Sequence, residues 1–328
     1  MTFLDWPTKR GLKLAMFLRQ TKWGIALLAA AIPFAVFTHV RGQQVPGAPT
    51  LVQDDTDTYS SGLSVIPSYD GFHVNPDKTI DMWFSYHNEN WQEELDVPIG
   101  PNNSFEPFGP DLGQPTHFQP RTNRWTFTVR IPGDWKMGDS NELTWTVTSH
   151  GKTYQAHGVL KPDYFQDDNG MQREAGVETP PLTNKPPVVT IVGETHRTAK
   201  VGQPIVLSAV CTDDGLPKYP EKDEEGKPRA PDDWHKPPYQ RAAYGLRMSW
   251  VVYRSPGRIT LDPPQFESWE DQRGGSASAR TWAPPPVPPD HLWAVRATFS
   301  EAGEYMLQAR GSDGLFFTNQ YVTVTVTP

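Results

Sequence analysis

Three aspartates are the side chains of this sequence best suited to metal chemistry. Asp213 and Asp214 follow the apolar run Ile205–Cys211, and Asp313 follows a second such run. Clustered carboxylates suit a hard cation such as calcium, which takes about six to eight oxygen ligands. Asp214-Gly215 and Asp313-Gly314 are equally ordinary turn dipeptides, and the spacing is not that of an EF-hand. Both readings, calcium and turn, stand at this point.

Aromatic residues form the second group. Trp234, Tyr239, Trp269 and Trp282 fall between the apolar runs, in long polar stretches. Their rings suit stacking on a sugar or anchoring a protein partner, and equally suit folding back into a core. Glu93, Glu94 and Asp96 raise the question of two-carboxylate hydrolysis. Glu94-Leu95-Asp96-Val97-Pro98-Ile99 lacks the third acid that an E-x-D-x-x-E strand would supply. Asp223-Glu224-Glu225 reads as a solvated charge run. The histidines are scattered and no HExxH occurs. His150 and His157 flank one expected hairpin and are the pair placed to approach each other for zinc. There is no G-x-S-x-G, P-loop or G-x-G-x-x-G. An enzyme is not expected; the weakest reading is one with its site between domains.

Composition narrows the class further. The chain has 328 residues and a formal net charge of −8, which speaks against a nucleic-acid partner. One cysteine, Cys211, excludes an internal disulfide framework. It shares a period-two face with Ile205, Leu207 and Ala209 and reads as a small buried hydrophobe. Proline is 34 of 328 residues, roughly twice the usual share, which fits a loop-rich β protein.

The N-terminus reads as an export signal. Lys9, Arg10, Lys13, Arg19 and Lys22 precede Gly24–Phe37, an uncharged run that fits a signal h-region and is short for a bilayer span of about 20 residues. Cleavage is expected after Gly42, and Met16 is an alternative start. An uncleaved anchor over 23–40 is the competing reading, and in that case alone the chain would meet a membrane. In either case the rest is expected to be translocated, to the periplasm, the cell surface or the medium.

Residues 43–57 read as a flexible leader. From 58 to 165 short alternating runs follow one another: Ile80, Met82, Phe84 and Tyr86; Trp125, Phe127, Val129 and Ile131; Leu143, Trp145 and Val147. Each set shares one face, and Gly151-Lys152 marks a hairpin tip before Thr153–Val159. This spacing predicts a β-sandwich. Residues 166–187 are a Pro-rich linker. A second β domain is expected over 188–328, with strands at Val188–Val192, Ile205–Cys211, Leu246–Tyr253, Trp293–Phe299, around Tyr305 and at Tyr321–Val326. Its stretches 215–244 and 254–292 are long for loops, and long loops are where function tends to lie.

The pieces NKPPVV, VGQPIVLSAVCTDDGLP, LRMSWVVY, FSEAGEYMLQARGSDG and the terminal VTVTV resemble bacterial PKD and PKD-like immunoglobulin-type domains. Trp250 matches the tryptophan of the third strand, and Gly303-Glu304-Tyr305 matches the tyrosine corner; Leu307 stands where a second cysteine would sit. The resemblance covers about 140 residues. It implies a surface or secreted sandwich used for adhesion, spacing or recognition, and it implies no catalytic residue. In such a topology the loops holding Asp213, Asp214 and Asp313 share one end, which the linker also reaches. The expectation is an all-β exported protein of two sandwiches behind a signal helix. Its expected role is to bind or scaffold an envelope protein or polysaccharide without enzymatic activity. A carbohydrate-binding module is the alternative, and no cofactor beyond calcium is expected.

Overall fold

A computed structural model describes residues 59–131, 134–136, 138, 140–167, 183–218, 245–265 and 287–328. The expected signal, its anchor alternative and the leader lie outside the described residues, as does most of the linker. Among the described residues no helix is long and apolar enough to cross a membrane, and the protein is all-β.

Eight strands make the first half: β1 (Val65–Val74), β2 (Ile80–Asn88), β3 (Leu95–Asp96), β4 (Asn103–Glu106), β5 (His117–Phe118), β6 (Arg121–Ile131), β7 (Glu142–Ser149) and β8 (Lys152–Val159). They form sheets of order β1-β2-β6 and β4-β7-β8, with a short β3-β5 pair. Period-two alternation sets the faces: Leu143, Trp145 and Val147 are wholly buried, while the residues between them are half-buried. Phe84 sits at the centre, with ring centroids 5.1 Å from Phe105, 5.7 Å from Phe127 and 6.1 Å from Trp145. The Trp145 indole N–H donates to Asn103 Oδ1 at 2.9 Å, so its burial leaves no unpaired donor.

Trp125 corrects the expected face. It does not share the side of Phe127, Val129 and Ile131. The β2–β6 register shifts between Phe84 and Tyr86, and Trp125 has φ +52°. A left-handed residue at a bulge re-aims its side chain. The conformation is held by Ser85 Oγ and Asp70 Oδ2, which accept the Trp125 backbone N–H at 2.7 and 3.2 Å. The ring consequently leaves the first core and packs on Phe316 of the second half.

The second half holds β9 (Val188–Ile191), β10 (His196–Lys200), β11 (Ile205–Thr212), β12 (Arg247–Arg254), β13 (Ile259–Asp262), β14 (Leu292–Phe299), β15 (Gly303–Ser312) and β16 (Phe317–Thr327). One sheet runs β13-β14-β11-β9 and the other β10-β16-β15-β12, with β10 parallel to β16. This is the ABED and GFC arrangement of an immunoglobulin-like sandwich, with β10 added beside the last strand. Trp250 is buried between the sheets and its indole donates to the Trp293 carbonyl at 3.3 Å. The Tyr305 hydroxyl donates to the Glu301 carbonyl at 2.9 Å, closing the tyrosine corner. Cys211 and Leu307 are both fully buried. Gly311 is required by close approach, since a Cβ there would stand 2.6 Å from Val189 Cγ2 and 2.8 Å from Cys211 Sγ. The stretch 254–292 is not one loop, because β13 lies within it and pairs with β14.

From residue 59 onward the described residues belong to a single compact unit. The outer face of the β12, β15 and β16 sheet lies against the first half, so Tyr253, Met306 and Tyr321 join the first core. Strand β12 is therefore buried along nearly its whole length, without the alternation of a half-buried strand.

Candidate functional site

The acids after β11 and β15 do come to one end of the second sandwich, and the incoming chain meets them there. Asp313 is wholly buried. Its Oδ1 accepts the Leu315 and Phe316 N–H groups, each at 2.7 Å, and its Oδ2 accepts Asn184 Nδ2 at 2.9 Å. Burial raises its carboxyl pKa and these bonds oppose the rise. Asp214 Oδ1 accepts Leu216 N–H at 2.9 Å, and Oδ2 accepts Lys185 N–H at 3.1 Å. Asp213 Oδ2 accepts Gly215 N–H at 2.9 Å. Its pKa is raised by burial first, then by the neighbouring Asp313 and Asp214.

These oxygens accept backbone N–H groups and the Asn184 side-chain amide, and Asp213 Oδ1 is buried without a hydrogen-bond partner. The carboxylates tie the turn after each strand and fix the chain arriving through Asn184 and Lys185. Among the described residues no group of three or more His, Cys, Asp or Glu side chains is arranged to hold a metal ion. Cys211 lies beneath them, and burial, then Asp213, pushes its thiol up to about 12. Such a thiol stays protonated and unreactive at neutral pH. Trp234, Tyr239, Trp269 and Trp282 lie outside the described residues. Lys218, Gly245, Gln265 and Val287 are the last described residues on either side of the stretches that carry them.

His150 and His157 do not form a pair. His150 Nε2 lies 3.2 Å from Glu93 Oε2, and His157 Nδ1 lies 2.7 Å from Glu142 Oε1. His157 meets its carboxylate across the β7–β8 hairpin, whereas His150, at the hairpin tip, meets one from the segment between β2 and β3.

A second cluster, not foreseen from sequence, unites Glu94 and Asp96 around His117. Asp96 Oδ1 lies 2.8 Å from His117 Nδ1, and Glu94 Oε2 lies 3.3 Å from Nε2. The imidazole is buried and the two carboxylates are half exposed. Burial opposes charge on the ring, but the two carboxylates outweigh it and lift the pKa to about 9. Glu94 is lowered chiefly by its bond to His117, and Arg258 of the second half adds to this. The two acids thus lie against opposite ring nitrogens rather than at one shared point.

Just beside this cluster runs the seam between the halves. Thr116 N–H donates to the Tyr253 carbonyl at 3.0 Å, and Ser255 N–H to Thr116 Oγ1 at 3.2 Å. The Tyr253 hydroxyl donates to the Gly113 carbonyl. Arg254 forks onto Asp111 at 2.7 and 3.0 Å while its Nε donates to the Gln114 carbonyl at 2.9 Å. Farther along, Gln308 and Asn319 both donate to the Thr126 carbonyl, at 3.2 and 3.3 Å, and Arg310 donates to the Arg124 carbonyl. The available signal was the missing period-two alternation of LRMSWVVY and YMLQARGS, since strands covered on both faces lose it.

No family model and no curated relative matches the chain. Among solved structures it is similar to an I-band fragment of titin, at 9% identity over 80% of this chain and 64% of that one, with a TM-score of 0.21. The chain thus spans just under two thirds of that fragment. It is similar also to domains 4 and 5 of the S-layer protein SbsC, at 11% identity over 81% and 98% of the two chains, TM-score 0.21. A third is the Yersinia pseudotuberculosis adhesin InvE, at 10% identity over 83% and 61%, TM-score 0.20. The immunoglobulin-like fold rests on the strand order and tyrosine corner described above.

Proposed function

We propose that this chain is an exported, non-enzymatic envelope protein that binds or scaffolds other components, its second sandwich being of the PKD-like type. The observation that carries the reading is the seam. Two sandwiches are fastened by side chains that bond backbone carbonyls across it, with a bidentate Arg254–Asp111 pair at its rim. Such a body holds a surface in fixed orientation, which serves adhesion or spacing. The acids that could have served a reaction are engaged by backbone N–H groups or by His117. The basic segment ahead of Gly24–Phe37 supports export.

The test uses the full chain, tagged at its C-terminus and expressed in its own host. Cells are fractionated, the N-terminus is sequenced, and material bound to the tag is analysed for protein and glycan. An envelope or secreted protein beginning at Gln43, holding a stoichiometric partner protein, is the expected result. Retention in the cytoplasm overturns export. Enriched glycan without protein moves the role to carbohydrate binding, with Trp234, Tyr239, Trp269 and Trp282 as the residues to substitute.

A further inference from the structure

On the outer face of the β1-β2 hairpin a run of side chains is joined by hydrogen bonds whose direction is fixed at both ends. At one end the Trp83 indole N–H, which can only donate, gives its hydrogen to His73 Nδ1 at 2.8 Å. At the other end the Asp81 carboxylate can only accept. Arg130 forks onto it at 2.8 and 3.0 Å, and Asn75 Nδ2 donates to it at 3.0 Å. Asn75 Nδ2 also donates to Thr79 Oγ1 at 2.9 Å, which leaves Asn75 Oδ1 to face His73 Nε2, 2.9 Å away. Both ends therefore dictate one tautomer of His73: Nε2 carries the hydrogen, Nδ1 carries none, and the ring is neutral.

We propose that this run is an acid-sensitive latch on one contact between the two halves. A second proton on His73 goes to Nδ1. It sets two N–H groups against each other across 2.8 Å with no acceptor between them, so Trp83 has to move. The Trp83 ring stands edge-to-face on Trp125, centroids 5.6 Å apart, and Trp125 packs on Phe316 of the second half. The latch is closed while His73 is neutral. It opens as pH falls through the range in which histidines titrate, about 5 to 8. His73 keeps 28% of its side chain exposed, so solvent protons reach it.

The charged groups around the ring poise it. Asp81 lies 3.9 Å from Nε2 and draws positive charge toward the imidazole, against the indole that excludes it. Arg130 stays on Asp81, Asp77 accepts from Thr79 at the turn, and Asp70 on β1 accepts from Ser85. The segment after β8 runs along β1 and brings Phe165, Gln166 and then Asp167, while Arg124 lies over the Trp125 ring. The far rim of the seam uses none of these side chains. Arg254 forks onto Asp111 there, and His117 beside it stays charged below its pKa of about 9, so opening is local to the Trp125 corner.

The experiment is hydrogen–deuterium exchange read by mass spectrometry on the full chain in neutral detergent, in steps from pH 8 to 5.5, with rates corrected for the intrinsic pH dependence of amide exchange. In the wild type, peptides holding Trp125 and Phe316 are expected to lose protection by about 10-fold toward pH 5.5, the weight of one hydrogen bond. The peptide holding Arg254 is expected to keep its protection. His73→Gln offers an acceptor to Trp83 and a donor to Asn75 without titrating, and is expected to stay protected throughout. Trp83→Phe keeps a ring on Trp125 but removes the opposing N–H, and is expected to abolish the acid step as well. His87, which burial, then Arg121, lowers to about 4, titrates below this window. The remaining titratable groups are common to all three proteins. Circular dichroism confirms folding, and if one variant does not fold the other decides. A wild type without the step overturns the proposal. So does a step of equal size in the variants, which assigns it to another group, and so does a loss of protection spread evenly to Arg254, which is general acid unfolding.

Discussion

Replacing His117 by glutamine should remove one pH dependence of the protein's stability. The ring is buried and its pKa rises from 6.5 to about 9 because Asp96 and Glu94 hold its charged form. Such a shift corresponds to roughly 3 kcal/mol at about 1.4 kcal/mol per unit. Both carboxylates are half exposed, so solvent screens part of the attraction, and about 1–2 kcal/mol is the expected contribution. The sign follows from linkage: a raised folded pKa gives stability that is complete below pH 6.5 and is lost as pH climbs through about 9. The assay is urea denaturation of wild type and His117→Gln at intervals from pH 6 to 10, read by tryptophan fluorescence. The wild type should be more stable at pH 6, and the two curves should converge near pH 10. His87, which burial, then Arg121, lowers to about 4, contributes its own pH dependence equally to both proteins and cancels in the comparison. Parallel pH profiles for the two proteins would refute the reasoning.

Three other outcomes are expected. Gly311→Ala should lower stability by about 1–3 kcal/mol, because the added methyl overlaps Val189 and Cys211 between the sheets; a thermal melt reads it. Asp213→Asn should raise the melting temperature at neutral pH, since it removes a charge disfavoured by burial and by Asp313 while keeping an acceptor for Gly215 N–H; the gain should shrink on acidification. Tyr305→Phe should cost about 1 kcal/mol through loss of the bond to Glu301, measured by denaturant midpoint.

Much of the β architecture was legible from alternation. β7, β11 and β14 each bury every second residue, and their apolar runs mark them directly. β1 was not legible, because Pro67 and Gly71 interrupt it and a bulge between Tyr69 and Gly71 shifts its register. β13 was missed because it is only four residues long, so Ile259 and Leu261 alone mark its inner face. The acids at Asp213, Asp214 and Asp313 were correctly gathered at one end. The backbone donors that engage them are not visible in residue types. His117 was passed over because it lies on β5 and its partners on β3 and the residue before β3, and these two-residue strands show no periodicity. Trp125 shows the same limit: a bulge moves a residue between cores without altering the pattern around it.

The sharing of Tyr253, Met306 and Tyr321 with the first core has a consequence for how the protein is made. A chain emerging from a ribosome at about 5–20 residues per second completes β8 roughly 90 residues before Tyr253 appears. For that interval, several seconds or more, the first half lacks three of its core side chains and presents their apolar seat to solvent. Holding the nascent chain extended until the later strands arrive would avoid aggregation through that seat. Any truncation before β12 should leave it permanently open.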